Sequence, residues 1–469
     1  MNRRLERLQD EVAAVDLGDA RLNARAGSIL ARIEAAPSDS FPEQMQTIAE
    51  REALYRFLNN ESVTLNGLLE AHVQQTHQRM AKHPVVRVVH DTTEFTFEGD
   101  REGLGVTQKN SRGFYAHVAL AVGADEGREP FGVLGVRTHL RQHAAVRRAM
   151  TPSQATTVIQ KGKRSDKLSS RWEALAIDVS SRLPAGVRAV HVMDQEADDY
   201  ALWAALQRAS LHFVVRVSPQ RRLAHPYGVR LAQALSEQPP SIFRTVAVNA
   251  RTSKAARTRP ARKEREAELV VRWGSVVIER TRFAEAEEPE LHVHAVHVLE
   301  PNPPEGEEAI EWMLLTSEPV ASLKDATAIV DHYRARWVIE EYFKALKTGC
   351  AFEKRQLTTL EGLLRALGLF IPAAWKLLAL RNLGRAPKPR PASYLLDAEM
   401  LLLLRALLEE RRYRLPASPT VRDAMLGIAA LGGHIKGNGD PGWLVLGRGF
   451  LRLLEAEVGW RLARRSDQS

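Results

Sequence analysis

The sequence predicts an α/β domain that lies between two helical regions, and three observations support this fold class. Residues 1 to about 80 have the apolar spacing of amphipathic helices. From Pro84 the pattern changes to short valine-rich runs bounded by turn residues, which predict strands. From about Glu361 the helical spacing returns. A chain of 469 residues is long enough for about three domains at ~150 residues each.

Residues 1–80 are predicted to be a helical DNA-binding module. The stretch DARLNARAGSILARI starts with Asp19 at the N-cap position, and PEQMQTIAEREALYRFLNN and LNGLLEAHVQQTHQRMAKH continue the helical spacing. The first helix carries Arg21, Arg25 and Arg32. A small basic helical module suits contact with DNA, although a solvated helix face explains the same arginines nearly as well.

Residues 81–360 are predicted to form a catalytic domain. Three strands, VVRVVHDTTEFTF, GFYAHVALAVGA and FGVLGVRTHL, come first, and VRAVHVMD and LHFVVRV then alternate with two helices. The order β-β-β-α-β-α-β is that of ribonuclease-H-like nucleases, so we expect a ribonuclease-H-like core. After Arg216, four more strands predict a β-rich insertion at about 218–318. Within it, RTSKAARTRPARKER has seven basic residues and one acidic residue, and its composition predicts a loop.

Residues 361–469 are predicted to form a helical C-terminal region. Its most apolar stretch, LLRALGLFIPAAWKLLAL, contains Arg365, Pro372 and Lys376. A membrane span needs about 20 nearly uncharged residues, so we expect a buried helical hairpin here and no membrane partner.

The charge balance predicts a polyanionic partner. Lysine and arginine outnumber aspartate and glutamate by 66 to 57, for a net charge of +9. Nucleic acid and an anionic membrane surface both satisfy that charge. Cys350 is the only cysteine, which excludes a disulfide framework and a cysteine-based zinc site. The N-terminus lacks the apolar core of a signal peptide, so we expect a cytoplasmic protein.

Three carboxylates mark a candidate metal site. Asp91 ends the run VVRVVHD and Asp194 ends VRAVHVMD, while Glu340 lies on a later helix. A carboxylate at the end of a buried strand costs free energy unless it is paired or binds a cation. Three carboxylates that converge in this way suit Mg²⁺, for which Mn²⁺ can substitute. Two such ions about 3.5–4 Å apart would support phosphoryl transfer.

The stretch YRARWVIEEYFKALK predicts one helix with a polar stripe beside its apolar face. Tyr333, Arg336, Glu340, Lys344 and Lys347 fall within an arc of about 80° at 100° per residue. An ordinary i,i+4 pair on a solvated helix would account for Glu340 and Lys344 by itself. The two strand aspartates give Glu340 partners and favour a functional stripe.

These segments resemble a known family. HDTTEF, MDQEAD, WMLLTSEPV and YRARWVIEEYFKALKTGCAFEKRQL together are similar to bacterial cut-and-paste DDE transposases of the insertion-sequence-four family. The similarity runs from LGDARLNAR to IAALGGHIKG, which is nearly the whole chain. The most specific part is the Tyr–(2)–Arg–(3)–Glu–(6)–Lys signature.

The resemblance implies a role for each matching residue. Asp91, Asp194 and Glu340 would be the catalytic, metal-binding triad. The residues that would bind DNA phosphates near the cleaved end are Tyr333, Arg336, Lys344 and Lys347. Trp312 would stack on a flipped-out base, and Arg216 would contact DNA. The basic residues that follow Arg216 do not align with the family one for one.

The resemblance also implies a reaction and an assembly. A DNA transposase would bind terminal inverted repeats, excise the element by metal-dependent hydrolysis through a hairpin, and join the 3′ ends to target DNA. It would act as a synaptic homodimer on double-stranded DNA, with the apolar helices after Pro416 as the dimer contact. Two alternatives stay open, namely an inactive, domesticated DNA-binding protein and a nuclease without strand transfer.

Overall fold

The computed structural model describes residues 8–107, 111–140, 168–224, 229–248, 263–282, 284–386, 388–435 and 439–466. Most of the predicted basic loop, residues 249–262, lies outside this described part. The helices are α1 Leu8–Glu11, α2 Ala20–Ala35, α3 Phe41–Gln44, α4 Ile48–Leu58, α5 Leu65–Met80, α6 Leu168–Ser181, α7 Tyr200–Arg208, α8 Leu231–Ser236, α9 Leu323–Arg334, α10 Trp337–Lys344, α11 Leu360–Gly384, α12 Ala398–Glu409, α13 Val421–Leu431 and α14 Trp443–Ser466. The strands are β1 Val85–Phe97, β2 Gly105–Val106, β3 Arg112–Gly123, β4 Pro130–His139, β5 Arg188–Met193, β6 His212–Arg216, β7 Ser241–Val248, β8 Arg265–Glu279, β9 Glu290–Leu299 and β10 Glu311–Thr316.

The N-terminal helices begin where side chains can satisfy their free N–H groups. Asp19 is the N-cap of α2, as predicted, and its carboxylate accepts a hydrogen bond from the N–H of Arg21 at 2.8 Å. The second predicted helix is interrupted, because α3 ends at Gln44 and α4 begins at Ile48. Thr47 and Glu50 form a capping box there, which fixes a new helix start.

One mixed sheet of ten strands runs through the molecule in the order β2-β3-β1-β5-β6-β10-β9-β8-β7, with β4 also paired to β3. β1, β5 and β6 are parallel, and β3 is antiparallel to β1. The predicted β-rich insertion supplies β7 to β10, and these strands continue the same sheet because β10 pairs with β6. Mixed pairing with β1 and β5 at the centre is the arrangement expected of a ribonuclease-H-like core.

The two faces of the sheet are covered by different helices. Val89, Val192 and Val214 face a core that also contains residues of α2, α9, α10 and α11. Val88 and Ala119 on the other face pack with Leu175 of α6. Because side chains alternate along a strand, β1 presents its odd-numbered residues to α9 and α10 and its even-numbered residues to α6.

The apolar C-terminal stretch forms one continuous helix, α11, so the predicted hairpin was wrong. Pro372 lies inside this helix, where burial among neighbouring elements stabilises the chain despite the missing N–H. By length and composition alone α11 could cross a membrane, but 89% of its most apolar window is buried inside the protein. The helices α12, α13 and α14 surround a smaller core beyond it.

Candidate active site

The strand register brings Asp91 and Asp194 side by side. The parallel pairs of β1 and β5 run from Val85 with Arg188 to Val89 with Val192, a constant difference of 103 positions. The same difference separates Asp91 from Asp194, two residues beyond the last of these pairs. Neighbouring strands lie about 4.8 Å apart, so the two carboxylates leave the same face of the sheet as neighbours.

Asp91 lies in the middle of β1, whose bounds Val85–Phe97 are those of the predicted strand VVRVVHDTTEFTF, so its carboxylate ends the valine-rich run but does not end the strand. The strand continues to Phe97 because β3 pairs with it along this whole length, up to Phe97 with Arg112. The N–H of Thr92 donates to Asp91 Oδ1 at 2.7 Å. Burial, with the charge of Asp194, raises the pKa of Asp91 to about 7, although Arg336 acts in the opposite direction.

Asp194 lies at a strand end, as predicted. It follows β5 and caps a short 3-10 turn, Gln195–Ala197, by accepting a hydrogen bond from the N–H of Glu196 at 2.8 Å. Burial raises the pKa of Asp194, and Glu340 acts in the same direction. Burial is the main cause of both raised pKa values, and a buried carboxylate pair with raised pKa values marks a candidate functional site.

Glu340 reaches the aspartates through Arg336. The Arg336 guanidinium donates to Asp91 Oδ2 at 3.3 Å and to Glu340 Oε1 at 2.5 Å. It is nearly buried, and its Nε has no hydrogen-bond partner. Burial lowers the pKa of Arg336, but neighbouring groups, Glu340 and Asp91 among them, raise it above its ordinary value overall. Arg336 is therefore the internal cation of the site.

The predicted single helix is divided in two, which corrects its geometry. α9 ends at Arg334, and α10 begins at Trp337 after a tight turn in which the N–H of Arg336 donates to the carbonyl of Tyr333. Beyond α10 the chain widens into a π-helix over Ala345–Gly349. The tight turn and the π-helix both rotate side chains away from the positions of a regular α-helix.

The apolar face predicted beside the stripe is confirmed, since all of its residues are buried. They are Ala335, Ile339, Tyr342, Phe343 and Leu346. The stripe itself changes from core to solvent along its length. Tyr333 is buried, Glu340 has a third of its side chain exposed, and Lys344 is exposed.

Tyr333, Trp312 and Arg216 meet beside the carboxylates. The rings of Trp312 and Tyr333 are in edge contact, with centroids 5.5 Å apart. Burial raises the pKa of Tyr333, and Arg216, which hydrogen-bonds to it, acts in the opposite direction. Arg216 ends β6 and Trp312 begins the antiparallel strand β10, so both lie at the edge where β5 ends at Met193. Only the sheet topology brings these residues together.

Lys347 has a different environment from Lys344. Its Nζ donates to the carbonyl of Glu94, lies 3.8 Å from a carboxylate oxygen of Glu353, and lies 5.4 Å from the centre of the Phe95 ring. These contacts join the π-helix to β1. Lys347 therefore has a structural role in addition to the phosphate contact that the resemblance implies.

The donor chemistry of the site fits a divalent cation, but the carboxylates are not arranged as a preformed cage. In the part of the chain that the structure describes, no three His, Cys, Asp or Glu side chains form a group that could hold a metal ion. The Arg336 guanidinium pairs with Asp91 and Glu340 and supplies the positive charge that a bound cation would otherwise supply. Asp91, Asp194 and Glu340 offer the hard oxygen ligands that a divalent cation prefers.

Two residues near the site were missed in the sequence. Burial and the charge of Asp194 raise the pKa of Glu196, which adds a fourth carboxylate to this surface. The acidic run DQEAD could have shown it. Trp337 is 52% exposed and lies 4.9 Å from the Arg336 guanidinium, measured to the ring centre. An aromatic residue directly after the signature arginine was the available signal.

Two family matches agree with this geometry. Residues 6–63 match the transposase DNA-binding family, and residues 173–373 match the transposase DDE domain family. Together these two regional matches indicate a DDE transposase. The DDE match contains Asp194 and Glu340, whereas Asp91 precedes it and is assigned by its register with Asp194. Domains of the DDE family depend on divalent metals, and the DNA-binding match supports DNA as a partner.

A solved structure also resembles the chain, at a low level. It is described as "Cryo-EM structure of piggyBac transposase synaptic complex with hairpin DNA". The TM-score is 0.36 at 10% identity, over 82% of this chain and 74% of that chain. A similarity of this size carries no argument about fold or function. The ribonuclease-H-like core rests on the DDE match and on the sheet.

Proposed function

We propose that this transposase belongs to the insertion-sequence-four family and excises its element by Mg²⁺-dependent phosphoryl transfer at Asp91, Asp194 and Glu340. The observation that best supports this proposal is the shared strand register of Asp91 and Asp194. The Arg336 guanidinium links Glu340 to Asp91 beside them. Two bound ions would activate the attacking oxygen and stabilise the leaving oxygen in an in-line displacement.

The residues of this site have separate tasks in the first strand cut. The three carboxylates would bind the metal ions and so position positive charge beside the scissile phosphate. Once Arg336 leaves its carboxylates, its guanidinium can donate two parallel hydrogen bonds to a phosphate. Water attacks phosphorus, the bond from phosphorus to the 3′ oxygen breaks, and the 3′ oxygen leaves with a proton as a hydroxyl. The 5′ phosphate stays on the flanking strand.

The second cut would produce a hairpin. The new 3′-hydroxyl attacks the phosphate of the opposite strand, which joins the two strands of the transposon end and releases the flanking DNA. Trp312 is half-buried against Tyr333 and offers one edge of an aromatic platform beside the carboxylates. A flipped base can stack there, which offsets part of the few kcal/mol needed to take it out of the duplex. A second water would open the hairpin before the 3′ ends join target DNA.

The active form would be a homodimer that holds two transposon ends. The C-terminal helices carry exposed apolar side chains, including Leu402 at 67% and Trp460 at 47% exposure, which suits a protein interface. We place the reaction in the bacterial cytoplasm, on DNA of the nucleoid.

The test uses purified protein and DNA that carries both ends flanking the gene, with Mg²⁺ or Mn²⁺, analysed on denaturing gels. Asp91→Ala and Glu340→Ala are compared with the wild type. Glu341→Ala is the matched control, because Glu341 is next in sequence but pairs with Arg385 at 3.1 Å on another side of the helix.

Hairpinned ends and joined products that disappear in both active-site variants, and persist in Glu341→Ala, would establish the proposal. Cutting without hairpins or joined products would indicate a nuclease. DNA binding without cleavage at any metal concentration would indicate a DNA-binding protein that has lost its activity.

A further inference from the structure

On the far side of α9 from Tyr333, Asp331 pairs with two arginines, and two further arginines lie within electrostatic range of it. Asp331 accepts hydrogen bonds from Arg244 of β7 at 3.0 and 3.3 Å, and from Arg334 of α9 at 3.2 Å. The four arginines are Arg87, Arg128, Arg244 and Arg334, and we refer to them with Asp331 as the Asp331 arginine cluster. The side chains of Arg244, Arg334 and Asp331 are 25%, 35% and 35% exposed, so solvent reaches the cluster.

Arg128 enters the cluster from the turn between β3 and β4. Its φ of 45° lies in the left-handed region, which costs a non-glycine residue of order 1 kcal/mol or more. The carbonyl of Arg128 accepts a hydrogen bond from Asn382 at 3.3 Å, which fixes the turn against α11. Burial lowers the pKa of Arg128, and the nearby charges of Arg334 and Arg244 lower it further. The positive charges of Arg244 and Arg334 therefore act on Arg128 and repel it.

Arg87 forms the buried base of the cluster. It is 4% exposed, and its guanidinium donates to the carbonyls of Gly123 at 2.6 Å and Asp125 at 3.2 Å, and to His332 Nδ1 at 3.0 Å. Burial lowers the pKa of His332 to about 4, so this histidine adds no positive charge at neutral pH. The charge of Arg128 lowers the pKa of Arg87, and the charges of Asp331 and Asp125 raise it.

The cluster has more positive than negative charge. Arg244 and Arg334 hydrogen-bond to Asp331, and Arg87 and Arg128 lie within its electrostatic range. Asp125 is a second carboxylate that acts on Arg87 within the described residues. Surplus positive charge that is partly removed from water is costly unless an anion completes it. DNA phosphates are such anions, and arginine binds them through two parallel hydrogen bonds.

The cluster also lies where DNA leaving the catalytic centre can reach it. Arg87 and Asp91 project from the same face of β1, four residues apart, which is roughly 13 Å along the strand at about 3.3 Å per residue. Tyr333 and Arg334 are consecutive at the end of α9, so they point about 100° apart. Arg87 at the base of the cluster therefore lies roughly 13 Å from Asp91 along the strand, which corresponds to a few nucleotides of duplex DNA at about 3.4 Å per phosphate of one strand.

We propose that the Asp331 arginine cluster is a second phosphate-binding site, which holds the backbone of duplex DNA a few nucleotides from the scissile phosphate. This inference rests on the proposed function for the path of the DNA. The duplex can be the transposon end with its flank or the target, and both present the same phosphate chemistry. Asp331 occupies two of the arginines when DNA is absent and competes with the phosphate.

A purely structural ion-pair network makes a different prediction from a phosphate site. If the arginines only join β7, α9 and the turn, Asp331→Asn lowers stability and leaves DNA binding alone. If they bind phosphate, Asp331→Asn removes a competing anion and strengthens DNA binding. Arg334→Gln weakens binding in the second case only.

The experiment measures DNA affinity by fluorescence anisotropy at several salt concentrations from about 50 to 200 mM, where each lost phosphate contact lowers the logarithmic salt slope by about 0.9. The full-length variants are Arg334→Gln, Arg128→Gln and Asp331→Asn. Arg208→Gln and Glu288→Gln are matched controls, because these residues form an exposed ion pair at 2.9 Å outside the cluster. Thermal unfolding of each protein is recorded beside the binding data.

We expect Arg334→Gln and Arg128→Gln each to lower affinity three- to ten-fold and the salt slope by about 1. Asp331→Asn should raise both, and the two controls should change neither. An effect confined to transposon-end duplexes assigns the site to the end, and an effect confined to random duplexes assigns it to the target.

Unchanged salt slopes in Arg334→Gln and Asp331→Asn, with lower unfolding temperatures, would overturn the inference and leave a structural network. Wild-type protein that binds neither duplex would overturn both this inference and the proposed function. Slopes that shift as expected in a protein that never cuts DNA would contradict the proposed function alone.

Discussion

The two faces of β1 and β5 carry polar residues in different states. On the face towards α10, Asp91 and Asp194 keep solvent access, and Asp91 contacts the guanidinium of Arg336. On the face towards α6, His90 and His191 are fully buried, with His90 Nε2 and His191 Nδ1 2.9 Å apart. The strands are the same, and only the covering elements differ.

The fold accommodates partly or fully buried ionisable side chains in two different ways. The buried histidines become neutral, because burial lowers the pKa of His191 to about 4 and of His117 to about 3. Asp91 and Asp194 instead accept hydrogen bonds from backbone N–H groups and keep access to solvent, and Asp91 also pairs with Arg336. An uncompensated charge therefore persists on the face where a cation and a phosphate can arrive.

The largest expected effect separates the two faces by activity. Asp194→Ala should reduce strand cleavage by more than about 10³-fold, since a metal-binding carboxylate is lost. Ser180→Ala on the histidine face removes the hydroxyl that lies 2.8 Å from His191 Nε2 and should leave cleavage unchanged. Single-turnover cleavage of an end duplex checks this. A comparable loss in Ser180→Ala would contradict the functional difference between the faces.

Asp91→Asn should make the metal-free protein more stable. The pKa of Asp91 is raised from 3.8 to about 7, so its ionised form costs stability above pH 7, and the cost vanishes as the pH falls towards 3.8. The gain at pH 8 should be up to about 4 kcal/mol and should shrink towards pH 4. Urea unfolding with a chelator measures it, and saturating Mg²⁺ should stabilise the wild type only. A variant less stable than the wild type at pH 8 would show that contacts in the folded protein compensate the cost of burying the ionised Asp91 carboxylate.

The histidine face should control the acid sensitivity of the fold. The pKa of His191 is lowered from 6.5 to about 4, so its contribution to stability is complete above pH 6.5 and is lost as the pH falls to about 4. His191→Gln should remove up to about 3 kcal/mol of the difference in unfolding free energy between pH 7 and pH 4. The control is exposed His292→Gln, which should leave the pH dependence unchanged. Equal pH dependence in all three proteins would contradict this role.

The smallest effects distinguish the two lysines of the stripe. Lys344 is exposed, so Lys344→Gln should lower DNA affinity a few-fold and the salt slope by about 1 without changing stability. Lys347→Gln should also lower the unfolding free energy by about 1 kcal/mol, because its hydrogen bond to the Glu94 carbonyl is lost. Anisotropy and urea unfolding measure the two quantities. Identical behaviour of the two variants would remove the structural role given to Lys347.

Much of the local structure could be predicted from the sequence. The period-two runs predicted β1, β3 and β4, and the apolar face of α10 was predicted residue by residue. The failures arose where packing overrides local pattern. Pro372 indicated a hairpin, yet burial keeps α11 continuous. The regular helix predicted over Tyr333 to Lys347 is likewise divided by a tight turn and ends in a π-helix.

The sequence by itself determined the identity of the chemical groups, since the residue types, the signature spacing and the basic charge are local properties of the chain. Only the tertiary structure decided which groups meet. Asp91 and Asp194 become neighbours through the parallel register of their strands. Arg336 contacts both Asp91, which lies 245 positions before it in the sequence, and Glu340, which lies one helical turn after it. The Asp331 arginine cluster likewise joins a turn, two strands and a helix, and pairings at such separations are set by packing of the whole sheet.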